Sequence, residues 1–253
     1  MATFPGKRTG QYHRNDAEGL EAVILAGGFG TRLQEVVTDV PKSMALINGR
    51  PFLEYLLDFL LLQKIEKAVL SVGYMHEAIQ NHFRNKYRNL DIEYAVENEP
   101  MGTGGGIRLA LWKIHGLRAV VLNGDSIFRI DIGALRDEHL KKKADATLAL
   151  RKLNNTGRYG RVALNTQRRI LAFEEKNGSA GPGLINGGVY IIEKAFLMDP
   201  CFRGKFSIEK DCFEQYHTSS RMFGLPMKGY FLDIGIPEDY KKAQDEFAGF
   251  ENR

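Results

Sequence analysis

EAVILAGGFGTRL, residues 21–33, decides how the chain folds. Its first half, Ala22-Val23-Ile24-Leu25, is apolar without alternation and stops at Gly27-Gly28. An unbroken apolar run belongs to a parallel strand buried on both faces, and glycines straight after it belong to a tight turn. The stretch predicts the first strand of an α/β sheet. The loop beyond it can bring main-chain N–H groups to an anion, because no Cβ blocks the approach and φ above zero costs nothing. Arg32 adds a forked cation to that loop.

The rest of the first half repeats the theme. Pro51 opens an amphipathic helix through Phe52, Tyr55, Leu56, Phe59 and Leu60, and Ala68–Val72 follows as a bounded strand. A helix near residues 77–86, a strand at 92–96, a helix after the glycines at 104–106 and a strand at 119–122 continue the alternation. That rhythm predicts a mostly parallel Rossmann-like sheet with helices on both faces. Beyond Ala144 it changes: strand candidates at 147–151, 160–164, 170–174 and 187–192 have few helices between them, so the second half adds mixed or antiparallel strands. The expected organisation is one domain over residues 21–253, its nucleotide part at 21–143 and its acceptor part at 144–253, after a loose tail at 1–20.

Composition narrows the class. A chain of 253 residues that is 43% hydrophobic buries a full core. The run from Phe52 to Leu62 contains Glu54 and Asp58 and is too short to span a bilayer, so no membrane association is expected. Net charge is +4 and the cations are spread out, apart from Lys141-Lys142-Lys143, which reads as a solvated helix end; no nucleic-acid partner is expected. Two cysteines and no apolar leader in the first twenty residues suit a reducing cytoplasm. No histidine stands at metal-ligand spacing, and no serine or cysteine sits in a nucleophile–base arrangement.

The glycine loop alone leaves three readings open: a turn without ligand, a dinucleotide fingerprint, or a triphosphate cradle. The spacing Gly28-x-Gly30-x-x-Leu33 lacks the third glycine of a dinucleotide fingerprint, and no Gly-Lys-Ser/Thr follows as in a Walker loop. Ten residues after Arg32 comes Pro41-Lys42-Ser43-Met44. LAGGFGTRL followed by PKSM resembles the sugar nucleotidylyltransferase family, of GT-A-like fold, with one departure: Glu35 stands where proline is common. The likeness extends in order through Glu99-Pro100-Met101-Gly102-Thr103-Gly104-Gly105-Gly106, Leu122-Asn123-Gly124-Asp125, Arg158-Tyr159-Gly160, Phe173-Glu174-Glu175-Lys176, Ile185–Tyr190 and Phe231-Leu232-Asp233-Ile234-Gly235.

The resemblance implies roles. Leu25, Gly27, Gly28, Gly30, Thr31, Arg32 and Lys42 would hold the nucleotide, with Glu99, Pro100, Gly102 and Thr103 along the base. Asn123, Gly160, Glu175, Lys176 and Asn186 would bind the sugar phosphate, Lys176 at the phosphate itself. Asp125 and Asp233 would ligate Mg2+, and Arg32, Lys42 and Asp125 would be the catalytic set. The substrates implied are a nucleoside triphosphate and a sugar 1-phosphate, the products a nucleotide-activated sugar and pyrophosphate. Within the family, FEEK, GLINGG, Phe206-Ser207-Ile208-Glu209 and Tyr230–Tyr240 are most similar to the D-glycero-α-D-manno-heptose 1-phosphate guanylyltransferases. Uridylyltransferases for hexose, hexosamine or muramic acid phosphates share most of these segments, and a non-catalytic nucleotide-sugar-binding module is the reading from another class. Retention of Arg32, Lys42, Asp125 and Asp233 together favours the enzyme. A homo-oligomer stays open.

Overall fold

The structure, a computed structural model, describes residues 19–28, 40–174 and 181–248. The expected tail therefore lies almost wholly outside the described residues. β1 (Glu21–Leu25) leads to the small hairpin β2 (Leu46–Ile47) and β3 (Arg50–Pro51), then α1 (Phe52–Leu62), β4 (Lys67–Val72), α2 (His76–Phe83), β5 (Lys86–Tyr87), β6 (Leu90–Val96), α3 (Gly102–Leu111) and β7 (Arg118–Asn123). β8 (Ser126–Phe128), α4 (Ile132–Lys142), β9 (Ala146–Leu153), β10 (Arg161–Leu164), β11 (Ile170–Glu174) and β12 (Gly183–Glu193) follow. The chain ends through α5 (Lys194–Leu197), α6 (Glu214–Tyr216), β13 (Met222–Pro226), β14 (Phe231–Asp233) and α7 (Pro237–Glu246).

β7, β1, β4 and β6 lie side by side and parallel. β12 joins antiparallel to β7, and β9, β10, β11 and β13 extend the sheet beyond it. The parallel half and the mixed half thus fall where the helical rhythm of the sequence changes. Period-2 alternation splits the core into two layers. Ala22, Ile24 and Leu70 pack with Phe52, Leu53, Leu56 and Leu60 of α1, while Val23, Val69 and Val121 pack with Ile107, Ala110 and Leu111 of α3. Each fully buried Val, Ile, Leu or Phe among them contributes about 1.5–3 kcal/mol, which is why an unalternating apolar run forms a strand here.

Local chemistry sets several boundaries. α4 starts where the Asp131 carboxylate accepts the Ala134 N–H at 2.9 Å, and it ends at Lys143 in the left-handed region, φ 48°, at the close of the lysine run. α3 differs from expectation: it begins at Gly102, so the glycines at 104–106 lie inside its first turns instead of ahead of it. In β12 the register shifts between Asn186 and Tyr190, with Gly188 at φ +74°. A Cβ on Gly187 would come within 2.3 Å of the Phe128 ring, so this bulge lets β12 pass β8. Among the described residues no helix is long and apolar enough to cross a membrane.

Candidate active site

A cavity of about 700 Å3 opens at the C-terminal ends of β1, β4, β6 and β7. Open parallel sheets place their ligands there. Gly27 and Gly28 line it, but their glycines serve different ends. A Cβ on Gly27 would lie 2.7 Å from the Gly73 N, so its lack of a side chain lets the β1 and β4 ends close up; Gly28 has nothing within 4 Å and faces open space. Neither has positive φ, so the need is for room and not for an unusual backbone. Gly124 presses likewise against β1: its N–H donates to the Leu25 carbonyl at 3.0 Å, and a Cβ would meet that oxygen at 2.2 Å.

Lys42 sits on a one-turn 3-10 helix, Lys42–Met44, pinned to the end of β1 by the Ser43 hydroxyl, which donates to the Ala26 carbonyl at 3.2 Å. Its Nζ donates to Asp125 Oδ2 at 2.6 Å, with the lysine side chain 11% exposed and the aspartate 41%. Asp125 follows β7 and Asp233 ends β14, and the Ile234 N–H donates to the Asp125 carbonyl at 2.9 Å, tying the two carboxylate-bearing turns together. Burial, then the Asp125 charge, pushes the Asp233 carboxyl above the ordinary 3.8, against the pull of Lys42 and of the Gly235 N–H, which donates to Asp233 Oδ1 at 2.6 Å. Asp233 lines a second cavity of about 270 Å3, with Arg158, Tyr159 and Asp239. The carboxylate pair therefore stands between two cavities, one facing the β1 loop and one facing the mixed half of the sheet.

Two carboxylates held together with too little positive charge suit a hard cation that completes its coordination with phosphate oxygens and water, as Mg2+ does. Among the described residues no group of three or more His, Cys, Asp and Glu could cage a metal by itself. The residues thus fit a metal that arrives with a polyanionic ligand.

Of the other expected residues, Leu25, Lys42, Glu99, Pro100, Gly102, Thr103, Asn123 and Asp125 all line the larger cavity. Asn123 Oδ1 is buried without a hydrogen-bond partner among the described residues, where an unsatisfied polar atom costs about 1–3 kcal/mol. Asn186 lines neither cavity; its Oδ1 accepts the Gly188 N–H at 3.1 Å. Gly160 is half-buried just before β10. Gly30, Thr31, Arg32, Glu175 and Lys176 lie outside the described residues. The glycines at 104–106 are buried inside α3. Glu97 was not foreseen. It lines the cavity, accepts from Ser71 Oγ at 3.1 Å and from the Met101 N–H at 2.9 Å, and so ties β4 to the start of α3. Its signal was present, since Glu97 directly follows the strand expected at 92–96, as Asp125 comes shortly after the one at 119–122. The wall from Gly73 to Glu77, turning through Met75 at φ 54°, was also missed.

A glycine turn and a lysine–aspartate pair at the C-terminal end of the parallel strands stand beside the carboxylate that ends β14 of the separate β8–β14 ribbon, an arrangement suited to an anionic ligand. The chain belongs to the nucleotidyl transferase family, whose model matches residues 21–248. It is similar to D-glycero-alpha-D-manno-heptose 1-phosphate guanylyltransferase of Aneurinibacillus thermoaerophilus, 44% identical over 91% of this chain and 100% of that protein. The namesake enzyme of Campylobacter jejuni is 40% identical over 87% of this chain and 97% of its own. Among solved structures, HddC from Yersinia pseudotuberculosis superposes with a TM-score of 0.81 at 35% identity, covering 90% of this chain and all of HddC. A second crystal structure holds the same protein complexed with GMP-PN.

Proposed function

We propose that the chain is a guanylyltransferase that joins GMP from GTP to D-glycero-α-D-manno-heptose 1-phosphate, giving GDP-heptose and pyrophosphate. The observation that carries this is the Lys42–Asp125–Asp233 cluster standing between two cavities, where two phosphates brought from either side would meet. The choice of guanine and heptose is supported by the activity of the two relatives and by HddC's GMP-PN.

The nucleotide takes the larger cavity, its phosphates over Gly27-Gly28 and Lys42, with Gly30, Thr31 and Arg32 adding donors and its base toward Glu99, Pro100, Gly102 and Thr103. The sugar phosphate takes the mixed-sheet side, near Asn123, Gly160, Glu175, Lys176 and Asn186. A phosphate oxygen of the sugar attacks the α-phosphorus as pyrophosphate leaves, and the attacking oxygen, already ionised, needs no general base. Lys42 offsets charge on the transferring phosphate, so rate comes from alignment and electrostatics. Asp125 and Asp233 would hold Mg2+, which supplies further positive charge when bound. We place the reaction in the cytoplasm, which suits the two unpaired thiols Cys201 and Cys212, with GDP-heptose serving a surface glycan.

Pyrophosphate release measured for GTP, UTP, ATP and CTP against heptose, mannose, glucose and N-acetylhexosamine 1-phosphates tests this directly. GTP with the heptose phosphate is expected to give the highest kcat/KM. A wide margin for UTP with a hexosamine phosphate would overturn the base and sugar and leave the nucleotidyl transfer standing. Lys176→Ala should raise KM for the sugar phosphate tenfold to a hundredfold, the worth of a charge-assisted contact of about 1.5–3 kcal/mol, with little change in KM for GTP.

A further inference from the structure

The larger cavity is walled on the β6 side by Gly102 and Thr103, at the start of α3. Phe206–Glu209 grips that start from outside. The Phe206 N–H donates to the Met101 carbonyl at 3.0 Å, and the Phe206 carbonyl accepts from the N–H groups of Gly104 at 3.0 Å and Gly105 at 3.4 Å. The Thr103 hydroxyl is used twice, accepting from the Ile208 N–H at 2.9 Å and donating to Glu209 Oε2 at 2.9 Å. The Ser207 hydroxyl donates to the same carboxylate oxygen at 2.9 Å.

The glycines answer to this grip. A Cβ on Gly102, which sits at φ +72°, would come to 2.5 Å from the Phe206 carbonyl oxygen, and one on Gly104 to 2.1 Å from the Phe206 ring. From Ile208 to Phe213 the chain runs as a π-helical turn, a rare form that concentrates at functional sites. Glu209 itself lines neither cavity, whereas Gly102 and Thr103 line the larger one.

We propose that Glu209 is a positioning residue. Through Thr103 it latches the Met101–Gly106 segment in the shape that receives the nucleotide, and it sets nucleotide affinity without touching the nucleotide. This rests on the reading that the nucleotide fills the larger cavity. The carboxylate, with two hydroxyl donors on one oxygen, leaves the Thr103 side chain no freedom to turn into the cavity, so the ligand meets main chain at 102–103.

The full chain is the test material, with both substrates varied in steady-state kinetics, nucleotide binding followed by calorimetry and thermal melting run alongside. Glu209→Ala should raise KM and Kd for the nucleoside triphosphate about tenfold, as loss of one charge-assisted hydrogen bond would, while KM for the sugar phosphate and kcat stay within about twofold. Glu209→Gln, whose amide oxygen still accepts a hydroxyl, should recover most of that loss. It carries the test should the alanine variant fail to fold, with an expected rise of about threefold on the same scale. Equal rises for both substrates, or a lowered Tm with nucleotide affinity unchanged, would overturn the latch. Wild-type chain that bound no nucleoside triphosphate would overturn the reading of the cavity and the latch with it, whereas wild-type binding matched by both variants would overturn the latch alone.

Discussion

The parallel strands carry a charged cluster at each end, and the two clusters are built in opposite ways. At the N-terminal end, Glu21 Oε2 accepts the N–H groups of His115 at 2.6 Å and Gly116 at 2.9 Å, and its Oε1 lies 3.2 Å from Lys67 Nζ. Lys67 is in turn 2.9 Å from Glu93. Burial pushes the Glu21 carboxyl up, but the donors from Gly116, Lys67 and His115 together outweigh it and leave the group below its ordinary 4.5. At the C-terminal end, Asp233 is driven up by burial and by Asp125, and the single lysine between them does not restore the balance. Glu21 takes two N–H donors on Oε2 and an ion pair with Lys67 at Oε1 from its own fold. Among the described residues Asp233 has no such set of donors, and a carboxylate raised in this way at a cavity is a candidate for ligand binding.

The strongest way to break the comparison is Asp125→Asn. It should lower turnover on the order of a thousandfold or more, about 4 kcal/mol in the barrier, with the far-UV spectrum unchanged. Near-normal turnover at low Mg2+ would make the C-terminal cluster no more functional than the N-terminal one. Lys42→Met should follow with a loss of about a hundredfold in kcat/KM, the order expected when one fixed positive group is removed from a developing charge. An unchanged kcat/KM in that variant would mean that the 2.6 Å ion pair with Asp125 is the lysine's whole purpose.

At the other end, Glu21→Gln should leave kcat untouched and destabilise the fold by about 1–3 kcal/mol, since two N–H groups and Lys67 lose a charged acceptor. The pH dependence has a definite sign. A carboxyl depressed on folding contributes stability that is present above the ordinary 4.5 and is lost as pH falls through the lower folded value. The difference in urea midpoint between wild type and Glu21→Gln should therefore be full at neutral pH and shrink as pH falls below 4.5. A difference independent of pH would assign it to packing.

How much of this could be read from residues follows the same division. Strand ends were legible, because an apolar run stopping at glycine or aspartate needs no tertiary information: β1 with Gly27-Gly28 and β7 with Asp125 fall where the pattern stops. The nucleotidyl transferase family was legible from the order of short motifs. What could not be read were the groups whose meaning comes from a partner far along the chain. Gly104 exists for Phe206, Thr103 for Glu209, and Glu21 for the loop at 115–116. A one-dimensional pattern gives such residues only their local role, so Gly104–Gly106 read as the turn ahead of a helix, whereas they lie inside α3 and Gly104 packs against Phe206. Glu97 was passed over although its place after β6 satisfies the strand-end rule already applied to Asp125.

Asp233→Asn gives the smallest change in stability and the finest distinction. Turnover should collapse, yet in EDTA-treated buffer at neutral pH the variant should melt higher than wild type. The ionised Asp233 opposes folding because its carboxyl is raised, by burial first and by Asp125 second, above the ordinary 3.8. Asparagine removes that charge and keeps an acceptor for the Gly235 N–H. Relief of about 1 kcal/mol in a chain of this size corresponds to a rise of about 2–4 °C in Tm. The rise should fade when Mg2+ and nucleotide are added, because wild type alone gains the ligand's stabilisation. A fall in Tm without metal would mean that attraction between Lys42 and Asp233 exceeds the burial cost and the repulsion from Asp125. The C-terminal cluster would then be a net-attractive ion network like the one around Glu21, and the contrast between the two ends of the sheet would rest on position alone.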